Sequence, residues 1–130
     1  MREILFKAKR IDNGEWLEGY YMPRPNDPGK QRHYIVLVGS AKWYEIAPET
    51  LCQYTGLKDK NGKRIWENDV VKHEISDTFG AVKWYQEDYV GWCVDDVAID
   101  EQQFTDEMWD KCEVIGNVFD NPELLEQDGE

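Results

Sequence analysis

The chain is poor in the residues that mark a chemical centre. Cysteine occurs three times in 130 residues, at Cys52, Cys93 and Cys112. An odd number, widely spaced and without a Cys-x-x-Cys pair, argues against a disulfide framework or a zinc knuckle and fits a reduced setting. Histidine occurs twice, at His33 and His73. Neither has a nucleophile motif beside it, and both read as partly exposed structural residues. The P-loop, Gly-x-Ser-x-Gly and His-Glu-x-x-His patterns are absent. Long apolar runs are missing too. The longest, Tyr34 to Val38, falls far short of the ~20 residues of a membrane-spanning helix. The opening MREILFKAKR has too little apolar length for a secretory signal. The expectation is a cytoplasmic protein, not an enzyme, with no catalytic residue, cofactor or metal and no membrane contact.

Basic charge is scarce in one half. Residues 73–130 hold 2 Lys/Arg against 17 Asp/Glu, whereas residues 1–72 hold 13 against 10, for a net charge of −12. Such an acidic half repels phosphate backbones, which disfavours nucleic acid as the general partner. It serves solubility, or it presents an acidic face to a basic protein surface. Aromatic residues are abundant, with six Trp, seven Tyr and four Phe. Rings of this kind fill β cores and build binding faces.

Hydrophobic period 2 dominates over period 3.6. In EILFKA the residues Ile4, Phe6 and Ala8 share a strand face. Asn13-Gly14 then signals a hairpin, because both residues tolerate positive φ. EWLEGYYM sets Trp16, Glu18 and Tyr20 against Leu17 and Tyr21. The following PRPNDPGKQR is a loop, and its Pro25-x-x-Pro28 spacing is read as surface rather than as a polyproline ligand. HYIVLVG reads as a buried strand, and Pro48 breaks WYEIAPETL. Strand patterns recur in DVVKHEI, GAVKWY, YVGWCV and CEVIGNVF. DEQQFTDEMWDK instead places Phe104 and Met108 on one helix face, with Asp100 as N-cap and Gln103 at the capping-box position. Asn121-Pro122 starts a terminal turn pinned by Leu124 and Leu125.

Residues 54–69, YTGLKDKNGKRIWEND, are dense in turn chemistry and charge. Asp59-x-Asn61-Gly62 matches the middle of a calcium loop, but that register puts Leu57 at the first ligand position and Asn68 at the bidentate acid. A hairpin needs only Asn61-Gly62 as a type I′ turn, with Leu57 and Ile65 as inward anchors.

The run LCQYTGLKDKNGKRIWENDVVK resembles the signature of the YopX family, small proteins encoded mostly by phages and prophages. REILFKAKRIDNGEWLEGYY, GAVKWYQEDYVGWCV and CEVIGNVFDNPELLE are similar to that family's opening, middle and closing segments, in order. One departure is Asn68, which replaces the family's glycine before Asp69; Asn is the next-best occupant of a positive-φ position. The resemblance implies a mainly β fold: an N-terminal β-meander or hairpin lobe over residues 1–56 packed on a C-terminal SH3-type barrel over 57–122. One or two short helical turns and an acidic tail, 123–130, complete it. It implies a phage or prophage origin and supplies no catalytic residue or cofactor.

The expected function is therefore binding. Asp95, Asp96, Asp100, Glu101, Asp106, Glu107 and Asp110 fall within residues 95–110 and read as a solvated face rather than a two-metal site. The protein-binding candidates are Asp95, Asp96, Asp106, Glu107 and Asp110, with Trp109 as an exposed anchor. The partner would be a basic host or phage protein, and mimicry of nucleic acid is a special case. The alternative for Trp109 is packing on the barrel end. Lys58, Lys60, Lys63 and Arg64 form the candidate nucleic-acid site, weaker because the acidic half opposes it. A third reading is a homo-oligomer in which the basic half of one copy meets the acidic half of the next.

Overall fold

The computed structural model describes residues 4–24, 31–74, 79–86, 91–96, 100–103 and 109–125, and for 95, 96 and 100–103 the backbone alone. The chain is mainly β and forms two antiparallel sheets. The first takes β1 (Phe6–Lys9), β2 (Trp16–Arg24), β3 (Arg32–Leu37), β4 (Trp43–Glu45), β5 (Cys52–Lys58) and β6 (Arg64–Trp66), in the order β4-β3-β2-β1-β5-β6. The second takes β7 (Asp69–His73), β8 (Phe79–Tyr85), β9 (Gly91–Asp96), β10 (Asp100–Gln103) and β11 (Cys112–Asn117), in the order β10-β9-β8-β7-β11. Among the described pairings neither sheet closes on itself, so they do not form the closed barrel of the family expectation. Two compact units result, Met1–Tyr54 and Thr55–Glu130.

In unit 1 the two-residue period sorts the side chains. Ala8 and Ile35 bury one side of the sheet, with Phe6, Leu17, Tyr21 and Leu37 packed around them. Trp16, Glu18 and Tyr20 take the other side, as the alternation of EWLEGYYM requires. Gly19 sits on the inner side because the backbones leave no room: a Cβ there would lie 2.0 Å from the carbonyl oxygen of Val36. HYIVLVG is not the wholly buried strand expected. Ile35 is fully buried but Val38 is exposed, because β3 ends at Leu37 and Val38 enters the following turn. Ile4 likewise stands exposed before β1 rather than on its inner face. Pro48–Thr50 form a 3₁₀ turn, and the buried Thr50 hydroxyl accepts from the Lys9 N–H at 2.9 Å while donating to the Ala47 carbonyl at 2.7 Å.

Unit 2 centres on Ile65, Val71, Val82, Val94, Trp109 and Cys112, all buried, with Leu57, Trp92 and Val114 against them. Each fully buried aliphatic side chain contributes about 1.5–3 kcal/mol. β11 carries a bulge between Val114 and Gly116, which leaves Ile115 exposed and breaks the simple alternation of CEVIGNVF. Gly116 is required beneath the terminal turn: a Cβ there would meet Asn121 Oδ1 at 2.6 Å and Leu124 Cδ1 at 2.8 Å. That turn is a 3₁₀ segment, Pro122–Leu125.

Two local expectations change. Asp100–Gln103 is strand β10, paired with β9, so Asp100 is not a helix N-cap. Ladder bonds to β9 win over a short helix there; the helical turn is confined to Trp109–Asp110 within the described residues, and Phe104 and Met108 lie outside them. Neither Asn-Gly pair forms a type I′ turn. Gly14 and Gly62 have φ of +76° and +78°, but Asn13 and Asn61 stay out of the left-handed region. Side-chain bonds explain this. Asn13 Oδ1 accepts the Glu15 N–H, and Asp59 Oδ1 accepts the Asn61 N–H, each at 2.9 Å, fixing ordinary Asx geometry before the glycine. Asn68 does adopt positive φ, +71°, as its place in the family pattern suggested.

Candidate functional site

The 58–64 loop is built around Asp59. Asp59 is only 6% exposed, yet both of its carboxylate oxygens are used. Oδ1 accepts the N–H groups of Asn61 and Lys63, both at 2.9 Å, and Oδ2 accepts the Val114 N–H at 3.0 Å. Gly62 N–H closes the turn onto the Asp59 carbonyl at 3.0 Å, and Lys60 N–H donates to the Cys112 carbonyl at 2.9 Å. Burial alone would raise the Asp59 pKa, but the three N–H donors and the charge of Lys63 hold it below the ordinary carboxylate value. The loop is thus tied to β11 rather than solvated throughout. The Asp-x-Asn-Gly pattern that resembles a calcium loop is an internal clamp, with its acid committed to the backbone.

The basic residues of this loop do not form one uniform patch. Lys58 and Lys63 are exposed and Arg64 is half-buried. The Lys60 ammonium lies 3.4 Å from Glu74 and 3.9 Å from Glu113. Its charge is therefore shared with two carboxylates, at a strength typical of exposed pairs.

The acidic candidates divide into three groups. Asp95 and Asp96 end β9, and the register places Glu101 opposite Asp95 and Asp100 opposite Asp96. The register thus sets four acidic positions in two opposed pairs along β9 and β10, and β10 is an edge strand among the described strands. Asp110 is exposed, in the helical turn it shares with Trp109. Asp106 and Glu107 lie outside the described residues. Trp109 is not the exposed anchor: it is 4% exposed and packs in the unit 2 core with Val71, Val82 and Val94. Burying an indole takes a large apolar surface out of water, which stabilises the fold.

The remaining reactive side chains are held structurally. The His33 Nδ1 is hydrogen-bonded to the Tyr21 hydroxyl, and the rings stack with centroids 5.8 Å apart. His73 is buried rather than partly exposed, because it shares the inward side of β7 with the core residue Val71 while Lys72 takes the exposed side. All three cysteines are buried free thiols. Burial, and then the charge of Asp59, pushes the Cys112 thiol up to about 12. Among the described residues no three His, Cys, Asp or Glu side chains gather as a metal site. No helix among them is long and apolar enough to cross a membrane.

Sequence reasoning took Asp59 only as a failed metal ligand. The signal that could have found its role is the Asx-turn spacing Asp59-x-Asn61-Gly62 after an inward Leu57. The bond to Val114, 55 residues away, has no local signal.

The chain is similar to the crystal structure of protein EF1440 from Enterococcus faecalis, with 24% identity, a TM-score of 0.57, and coverage of 97% of this chain and 100% of that one. At that identity the likeness concerns the fold alone. A search of curated proteins gives no match. The family model described as YopX protein matches residues 7–126. That span covers almost the whole chain, including the clamped loop, the acidic edge and the closing turn, and the chain belongs to the YopX family.

Proposed function

We propose that the protein acts by binding rather than by catalysis, and that the acidic edge of the second sheet receives a basic protein partner. The observation that carries this reading is the register of β9 and β10, with Asp96 opposite Asp100 and Asp95 opposite Glu101. Like charges directly opposite one another on a sheet are destabilising. A cationic partner surface relieves that repulsion, so the arrangement favours association over the free state.

The non-catalytic reading is supported by the bonding already described: His33, Asp59 and Cys112 are each engaged in internal structure. An SH3-type arrangement of unit 2 is supported by its strand order, a meander β7-β8-β9-β10 with β11 returning beside β7. This remains an analogy of fold and not of function. A phage or prophage source and a cytoplasmic setting belong to the same proposal.

The test is affinity capture from host lysate, comparing wild type with Asp95→Asn/Asp96→Asn/Asp100→Asn/Glu101→Gln. The reading expects a basic protein that wild type retains, that a salt step elutes, and that the variant loses. Equal retention by both would remove the edge from the interface.

A further inference from the structure

The outward side of β1 to β4 carries both rings and cations. Register places Tyr20, Val36 and Trp43 in one row across β2, β3 and β4. Arg24 and Arg32 face each other toward the far end of the same side. On β1, Lys9 lies opposite Trp16 and Lys7 opposite Glu18. This is the side away from Ala8 and Ile35, and it is open: Tyr20 is 53% exposed and Trp43 46%.

These side chains are organised. The Trp43 ring meets Tyr34 edge-on at 4.8 Å between centroids, and the Arg24 guanidinium stands 5.4 Å from the Trp43 ring. The ammonium groups of Lys7 and Lys9 stand 4.7 and 5.4 Å from the Trp16 ring. Two rings therefore have positive charge fixed beside them. Tyr20 and Trp43 are two strand spacings apart, roughly 10 Å. Exposed rings spaced along a sheet, with cations on the same side, supply a π face for an unpaired base and a charge for its phosphate. A duplex keeps its base faces stacked inside and offers nothing to such rings.

Charge permits a polyanion here and opposes it elsewhere. Unit 1 carries eight Lys/Arg and seven Asp/Glu, whereas unit 2 carries seven and twenty. Glu18 and Glu45 share the outward side and hold affinity down. We propose that the outward β1-β2-β3-β4 face binds single-stranded nucleic acid, with Tyr20 and Trp43 stacking on bases and Lys7, Lys9, Arg24 and Arg32 meeting phosphates. This goes beyond the acidic-edge reading, uses a different unit, and stands or falls separately from it.

The experiment is fluorescence anisotropy of labelled oligo(dT) and oligo(rU) titrated with the full chain, with a labelled duplex as control. Saturable binding to single strands is expected, with the duplex clearly weaker. Trp43→Ala and Tyr20→Ala each weaken it about tenfold, and Trp43→Phe restores most of the loss. Arg24→Gln with Arg32→Gln flattens the salt dependence by about 1.4 in the log-log slope. Unfolding curves for every variant establish that each is folded. The proposal is overturned if single strands do not bind, if the duplex binds as tightly, or if all four substitutions leave binding unchanged. It is equally overturned if single strands fail and Trp43→Ala converts a dimer to a monomer, which would make the face a contact between copies.

Discussion

Asp59 Oδ2 accepts the backbone N–H of Val114 at 3.0 Å, joining the most charged loop of the chain to its last strand. The same carboxylate holds Asn61 and Lys63 through Oδ1. One buried acid thus sets both the shape and the anchorage of the loop. Asp59→Ala leaves three N–H groups without acceptors and is expected to destabilise the fold by about 3 kcal/mol in urea unfolding. The contribution is also pH-dependent. The folded pKa of Asp59 is depressed, so its stabilisation is present above the ordinary carboxylate pKa and is lost as pH falls through the folded value. The stability gap between wild type and Asp59→Ala should narrow as pH is lowered below about 4. A gap that stayed constant through that range would show that the carboxylate charge does not carry the clamp.

Asn68 at φ +71° explains how the family's glycine position is filled without loss of fold. Its Oδ1 also accepts from the Lys83 ammonium at 3.1 Å. Asn68→Gly is expected to fold normally. Asn68→Val places a β-branched residue in the left-handed region and should cost about 1–2 kcal/mol. Thermal unfolding of the pair checks this, and equal melting temperatures would contradict it.

Gly19 is a steric requirement rather than a turn signal. A methyl group would fall 2.0 Å from the Val36 carbonyl oxygen, which is backbone and cannot rotate away. Gly19→Ala should cost about 3 kcal/mol, in the upper range for overpacking. Circular dichroism with urea titration reads the loss; a variant as stable as wild type would mean that β2 and β3 separate freely.

Much of this was legible in the sequence, for local reasons. Alternation in EWLEGYYM sorts Trp16, Glu18 and Tyr20 from Leu17 and Tyr21 because strand side chains alternate by stereochemistry. Asn68 follows from the family pattern. The misread places depend on partners distant in sequence. Asp100–Gln103 has helix-cap chemistry but pairs with β9. Trp109 sits in an acidic run yet is buried by Val71, Val82 and Val94, contributed by β7, β8 and β9. The outward face of unit 1 emerges only when β2, β3 and β4 are set in register, because no single segment holds both Tyr20 and Trp43.

Cys52, Cys93 and Cys112 are buried, and the Cys112 thiol is pushed up to about 12. In the native protein near pH 8 none should react with a thiol reagent on the time scale of a model thiol, and all three should react in denaturant. Rapid native labelling of Cys112 would show that β11 opens readily.

The proposed role rests on the β9-β10 register, which pairs the acidic positions Asp95 with Glu101 and Asp96 with Asp100 at a sheet edge. The most direct measurement is the stability of Asp95→Asn/Asp96→Asn/Asp100→Asn/Glu101→Gln against wild type, by urea unfolding at low and high salt. Relief of two opposed pairs should stabilise the variant by about 1 kcal/mol at low salt, with the difference shrinking as salt rises. A variant less stable than wild type at low salt would contradict the account: the four carboxylates would then be supporting the fold, and the edge would hold no charge in reserve for a partner.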